Sequence, residues 1–309
     1  MRIAVVGAGG TGGYFGGLLA RAGEDVTFIA RGATLAALRA GGLTVESRVE
    51  GTFTVPVHAT DDPATVGPVD LVLFCVKAYD TTTAAEQIAP LVGPDTMILS
   101  VQNGIDNEER IAEAVGPAPV IGGIAGVSVH SRAPGVIAVD HEPGALRFGE
   151  LAGGASQRTE RLLRVFQRAP FIATLDPDIY TQLWEKFVFI CALSGVTSLV
   201  RLPIGPILRH PETTQLFRGV MAETALVGRA RGARLPDERV AEWFQEMAEI
   251  NPMVYGSMYH DLAAGRRLEV EALNGTVVRF GHDLGIPTPL NFAIFAALKP
   301  YADGTPAMA

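Results

Sequence analysis

Lysine is nearly missing from this chain. Of its 25 basic residues only Lys77, Lys186 and Lys299 are lysines; the others are arginines. Arginine serves wherever a fixed positive charge suffices, so a retained lysine points to a compact, titratable ammonium. Lys299, near the C-terminal tail, is expected to be incidental. Cysteine is scarcer still. Cys75 and Cys191 both sit in apolar runs, LVLFCV and FVFICAL, which reads as two buried, reduced thiols rather than a disulfide or metal framework. None of the six histidines has metal-ligand spacing, and no G-x-S-x-G nucleophile motif occurs. No apolar run is expected to reach the ~18 residues of a membrane span. The chain opens MRIAVVGAGG, directly into a strand and a glycine turn, so no signal peptide is expected. Net positive charge is absent too: 33 acidic residues against 25 basic give −8. Such a chain repels nucleic acid phosphates and anionic lipid, so neither nucleic acid nor membrane is an expected partner, and the cytoplasm is the expected compartment.

What is present argues for two domains. The length of 309 residues and 48% hydrophobic content suit a globular chain of about that number. Residues 2–6 form an apolar strand. Gly7-Ala8-Gly9-Gly10-Thr11-Gly12 then gives G-x-G-x-x-G, followed by a helical pattern over 13–22 and a second strand, Val26–Ile29. In a strand–loop–helix context this is a dinucleotide fingerprint: Gly7 makes the turn, Gly9 admits a pyrophosphate, and Gly12 lets helix and strand pack closely. The pyrophosphate is expected at the helix N-terminus. After the second strand an NAD site would carry Asp or Glu; here Ala30 and Arg31 follow. A guanidinium suits a 2′-phosphate, so NADP(H) is the expected cofactor, with a solvated loop arginine as the alternative. A central strand over Leu71–Val76 delivers Lys77 to the sheet's C-terminal edge, and one over Met97–Val101 delivers Gln102-Asn103-Gly104. Lys77 as a plain surface residue and Asn103 as a turn residue are the competing readings. Short β-like pieces over 120–149, a helix over 157–168 and a strand over 171–175 complete a Rossmann-type doubly wound α/β domain, residues 1–176.

From residue 177 the pattern is helical, giving an all-α C-terminal domain over 177–309. Ile179–Val200 is apolar on most faces and so should be buried. Lys186 lies inside it, where a charge is costly unless it is paired, lines a polar cleft or snorkels out. Further helices are expected over 211–232, 237–250, 257–264 and 270–284, the last two ended by Gly265 and Gly285. Glu269 is a candidate partner for Lys186, or else a solvated carboxylate in a helix's first turn.

Taken together, these pieces resemble the ketopantoate reductase (2-dehydropantoate 2-reductase) family over essentially the whole chain. The matching residues are the Gly7–Gly12 loop, Arg31, Val76-Lys77, Gln102-Asn103-Gly104, Leu183-Trp184-Glu185-Lys186, Ser257-Met258, and Glu269 ahead of Leu273-Asn274-Gly275. The resemblance implies NADPH-dependent reduction of ketopantoate to pantoate, in the pantothenate/CoA pathway. Arg31 and Lys77 would contact NADPH, Asn103 would lie near nicotinamide and substrate, and Lys186 would protonate the ketone oxygen. Glu269 would hold Lys186 or the substrate, and Ser257 would help bind the substrate. Members acting on ketopantoate tend to carry Asn four and eight residues after the catalytic Lys, where this chain has Ile190 and Ser194. An amide commonly stands three before the Ser, where this chain has Val254. A more apolar 2-oxo acid or ketone is therefore an alternative substrate. A different two-domain NADP enzyme, such as an imine or hydroxyacid dehydrogenase, and a non-catalytic NADPH sensor are the other readings. Oligomeric state is left open, a homodimer among the options.

Overall fold

The structure, a computed structural model, describes residues 1–48, 51–248 and 251–306. The chain divides into two compact units, Met1–Gln102 with Asn107–Tyr180, and Asn103–Asp106 with Thr181–Ala309.

The first unit is built on six parallel strands. Their ranges are β1 (Arg2–Val6), β2 (Asp25–Ile29), β5 (His58–Thr60), β6 (Leu71–Phe74), β7 (Met97–Ser100) and the start of β8 (Val120–Ala133). Their spatial order is β5-β2-β1-β6-β7-β8, every pair parallel, so connections run outward in both directions from β1. That is the doubly wound order, with its switch point at the β1 and β6 strand ends. Strand side chains alternate between faces. Ile3 and Val5 of β1 join Phe28, Leu71, Leu73 and Leu99 in one core. Ala4 and Val6 join Val72, Phe74 and Ile98 in the other, under α3 (Thr81–Gln87) and α4 (Asn107–Val115).

The first core has a second wall. Helix α1 (Gly10–Arg21) lies between the parallel sheet and a layer made by β3 (Leu43–Glu46), β4 (Thr52–Val55) and the long antiparallel pair β8 and β9 (Val136–Gly149). Two glycine pairs make this possible. A methyl on Gly12 or Gly16 would meet Val5 of the parallel sheet, and one on Gly13 or Gly17 would meet Leu43, with Ile137 or Val45 beside it. Tyr14 reaches β9, where its hydroxyl accepts from the Gly144 N–H at 3.1 Å. The helix α5 (Gln157–Phe166) and β10 (Ile172–Leu175), which pairs with β9, close this side.

Several expected boundaries move. The short β-like pieces over 120–149 are two strands of 14 residues each. Register shifts near Gly126, Ser128 and Ser131 break the period-two pattern that would have shown their length. Helix α1 begins at Gly10 rather than residue 13, because three glycines hide its first turn. Helix α3 ends at Gln87, since Pro90 follows and the chain tightens into a 3₁₀ turn. Helix α2 (Gly32–Gly41) and α4 were not anticipated.

The second unit centres on α6 (Ile179–Val200), as expected. By length and composition α6 could cross a membrane, contrary to the expectation that no run approaches that length, but 67% of its apolar window is buried and it is the core helix of this unit. Around it lie α7 (Ile204–Arg209), α8 (Pro211–Ala230), α9 (Arg239–Ala248), α10 (Ser257–Ala263), α11 (Thr276–Leu284) and α12 (Pro289–Leu298). Trp184 of α6 is fully buried against Phe187, Phe280 and Gly228. The helix expected from Val270 starts instead as a π-turn, Glu271–Gly275, in which the Gly275 N–H reaches back five residues to the Val270 carbonyl at 2.9 Å. Gly285, in the left-handed region, ends α11 as the sequence indicates.

Candidate active site

In the first unit the candidate residues are grouped on the C-terminal ends of the central strands. Gly7 holds a φ of 98° as β1 turns into α1. Gly9 is the α1 N-cap; it offers no side chain to the first-turn N–H groups, and a methyl there would meet nothing within 4 Å. Gly10 and Thr11 open the helix, and Ala8 lies half-buried before it. Uncapped first-turn N–H groups beside the open space at Gly9, with the helix dipole behind them, suit a pyrophosphate.

Arg31 is the N-cap of α2, not a residue of a bare loop. Its Nη2 donates to the Gln87 side-chain oxygen, and the first turn of α2 contains no acidic residue. A helix N-terminus beside a guanidinium is suited to a dianionic 2′-phosphate, and nothing in that turn opposes it. These residues fit NADP(H). Lys77 is half-buried one turn beyond β6, as N-cap of the 3₁₀ turn Ala78–Asp80.

The second unit holds the remaining candidates. Lys186, Ile190 and Ser194 fall at i, i+4 and i+8 on α6, hence on one face. Lys186 and Ile190 are half-buried; Ser194 is only 3% exposed. The reason is the turn into α10. Gly256 lies flush on Ser194, where a methyl would sit 2.7 Å from Ser194 Oγ, and its N–H donates to Thr197 Oγ1 at 3.1 Å. Ser257 therefore begins α10 directly above this stretch of α6, with Val254 half-buried before it. Glu269 is 4% exposed, so the solvated-carboxylate alternative fails. It immediately precedes Val270 and the π-turn, an irregularity often found at functional positions.

Asn274 locks that turn to α6. Its Nδ2 donates to the Cys191 carbonyl at 3.4 Å and to Asn291 Oδ1 at 2.9 Å, and it packs on Gly195. Asn291 Nδ2 in turn donates to Glu223, whose carboxylate also accepts the Leu290 and Asn291 backbone N–H groups at the start of α12. Sequence reading noted Asn274 in a motif without a role. Its partners lie 83 and 17 residues away, beyond any local pattern. Asn103, half-buried, heads the short segment Asn103–Asp106, held by Asp106 Oδ2 accepting from Arg279 of α11 at 2.7 Å. That anchor carried no sequence signal. Cys191 is buried, which pushes its thiol pKa well up and makes it inert.

Residues 3–153 match the family described as "Ketopantoate reductase PanE/ApbA", and residues 178–302 match "Ketopantoate reductase PanE/ApbA C terminal". A 2-dehydropantoate 2-reductase of Archaeoglobus fulgidus is 31% identical over 306 residues, covering 98% of both chains. A crystal structure of a PanE/ApbA family ketopantoate reductase from Ralstonia eutropha JMP134 superposes with a TM-score of 0.89 at 33% identity, covering 98% of each chain. The fold extends to a structure of D-mandelate dehydrogenase with NADH and anilino(oxo)acetate, at TM-score 0.90 and 20% identity over 98% of each chain.

Proposed function

The chain belongs to the ketopantoate reductase family, NADP-dependent oxidoreductases acting on a CH–OH group, and from that premise we propose that it reduces a 2-oxo acid to the 2-hydroxy acid with NADPH, ketopantoate to pantoate first among candidates. The observation that carries the reading is the α6 face: one half-buried ammonium, Lys186, in a chain nearly devoid of lysine, on the helix to which Asn274 locks the turn following Glu269.

Residues 1–176 serve as cofactor domain and 177–309 as substrate and catalytic domain. Arg31 takes the 2′-phosphate, and Gly7 to Gly12 with the α1 N-terminus take the pyrophosphate. Lys77 and Asn103 complete the cofactor contacts. Bound NADPH supplies the hydride. Lys186 holds a proton on Nζ, directs its charge at the ketone oxygen as negative charge develops there, and donates that proton to it. Glu269, buried, offsets the ammonium's charge and orients it. Asn103 and Ser257 hydrogen-bond the substrate.

A second reading has its own observation. Ile190 and Val254 offer no hydrogen bonds, and Ser194 is covered by Gly256. Substrate hydroxyls gain little from such a surface, which favours a more apolar 2-oxo acid. NADPH and NADH oxidation, followed by absorbance over ketopantoate and a panel of 2-oxo acids, tests both. Turnover of ketopantoate with kcat/KM of about 10⁵ M⁻¹s⁻¹ or above would establish the first. Preference for an apolar acid would establish the second, and NADPH binding without any turnover would sink both.

A further inference from the structure

The turn that carries Lys77 is bracketed by a single buried amide. Gln102, just past the end of β7, is 7% exposed. One Nε2 hydrogen goes to the Val76 carbonyl and the other to Thr81 Oγ1, both at 2.8 Å. One acceptor immediately precedes Lys77, and the other is the first residue of α3. The chain of bonds continues on both sides. Ser100 Oγ donates to Gln102 Oε1 at 3.3 Å, and Thr81 Oγ1 donates to Asn107 Oδ1 at 3.0 Å. Inside the bracket, the Asp80 N–H donates to the Lys77 carbonyl at 2.8 Å, and Arg110 Nη1 donates to the Ala78 carbonyl at 2.9 Å.

Four polar side chains are thus buried at the ends of β6 and β7, with Ser100, Thr81 and Asn107 no more than 1% exposed. Burying them is unfavourable unless each finds a partner. Apolar side chains would fill the same space without that demand. What a satisfied polar chain adds is one fixed geometry, because any shift breaks several bonds at once. The geometry it fixes here is that of Val76 to Thr81, whose only lysine is Lys77.

We propose that Gln102 is a positioning residue for the cofactor: it holds the Lys77 turn so that the ammonium meets NADPH without rearrangement. The proposal rests on the reading that Lys77 contacts NADPH. The test is a double-mutant cycle read as NADPH Kd by fluorescence titration, on wild type, Lys77→Ala, Gln102→Met and the double variant, with 2′,5′-ADP as a probe of the Arg31 end alone. Gln102→Met keeps the volume and removes both donors. It should weaken NADPH by about tenfold, some 1.4 kcal/mol, and leave 2′,5′-ADP unchanged. The double variant should bind no worse than Lys77→Ala. Should Gln102→Met not fold, Thr81→Val removes one bracket acceptor at nearly constant volume and should give a smaller loss of the same kind. If Lys77→Ala binds NADPH normally, the assignment of Lys77 falls and the proposal with it. If Lys77→Ala weakens NADPH but the Gln102 effect is additive, or extends equally to 2′,5′-ADP, the assignment stands and the positioning role is overturned.

Discussion

The two units place their candidate residues in different ways along the chain. In the first, the loop proposed to hold the cofactor is mostly backbone: the turn at Gly7, the bare N-cap at Gly9 and the N–H groups opening α1. Backbone sites are specified by what is missing, side chains above all, and a run of residues 7 to 12 contains nearly the whole instruction. In the second, the candidates are side chains gathered from α6, the Val254–Ser257 stretch and the segment before the π-turn, and held by Asn274, Asn291 and Gly256. No short run specifies them. A backbone site should therefore tolerate changes in packing and fail on an added methyl, whereas a side-chain site should fail when its supports move.

The largest effect expected from this contrast is at Lys186. Lys186→Ala should lower kcat by about 10²–10⁴, the usual worth of a positioned proton donor, with NADPH affinity preserved because the cofactor loop lies in the other unit. Lys186→Arg should not restore kcat, since guanidinium keeps its proton. Steady-state kinetics with a direct binding titration separate these. Retention of wild-type kcat in the alanine variant would remove the helical unit as the seat of the chemistry and collapse the comparison.

A matched pair of glycine substitutions sharpens it. Among the described residues a methyl on Gly9 meets nothing within 4 Å, so Gly9→Ala should leave urea unfolding unchanged and weaken NADPH by about tenfold or more where the pyrophosphate approaches. A methyl on Gly256 runs into the Ser194 backbone and Oγ. Gly256→Ala should cost about 1–3 kcal/mol of stability as an overpacking change, and raise KM for the 2-oxo acid by displacing Ser257. Destabilisation by Gly9→Ala, or a silent Gly256→Ala, would show that the two sites are not built in these different ways.

The same contrast explains what could be read from the sequence. The parallel sheet announced itself through unbroken apolar strands such as Leu71–Phe74, and α6 through 22 residues of apolar helix. The layer of β3, β4, β8 and β9 over α1 did not. Its strands pair across gaps of nearly a hundred residues, as Val45 with Ile137 does, and bulges spoil their alternation. Gly13 and Gly17, which admit that layer, lie outside the G-x-G-x-x-G spacing and carry no pattern of their own. In the site, Arg31 was legible as a charge but not as the cap of a helix, because Gly32-Ala33 gives a weak helix start. Glu269 was legible as a candidate, yet its burial was not, since what covers it comes from the fold rather than from its neighbours in sequence.

The smallest effect expected lies away from both sites and tests whether the first unit's stability can be moved without touching its cofactor loop. Glu150, just after β9, accepts from Arg158 Nε at 2.8 Å and Nη2 at 2.6 Å, and from Ser156 Oγ at 2.5 Å. The Arg158 guanidinium holds its carboxyl below the ordinary 4.5, against the opposing effect of partial burial and with help from Ser156. A carboxylate whose folded pKa is depressed contributes in full above its unfolded pKa. The contribution fades as pH falls from that value and is lost below the folded pKa. Glu150→Gln should therefore destabilise by no more than about 1 kcal/mol near neutral pH, since Arg158 is substantially exposed. The gap to wild type should close as the medium is acidified through the carboxylate range, with NADPH Kd unchanged throughout. A gap that persists at acid pH would assign the loss to packing around Ser156 and α5 rather than to the ion pair. A shift in NADPH Kd would mean that the cofactor loop, backbone though it is, senses supports as distant as those of the helical unit's side chains.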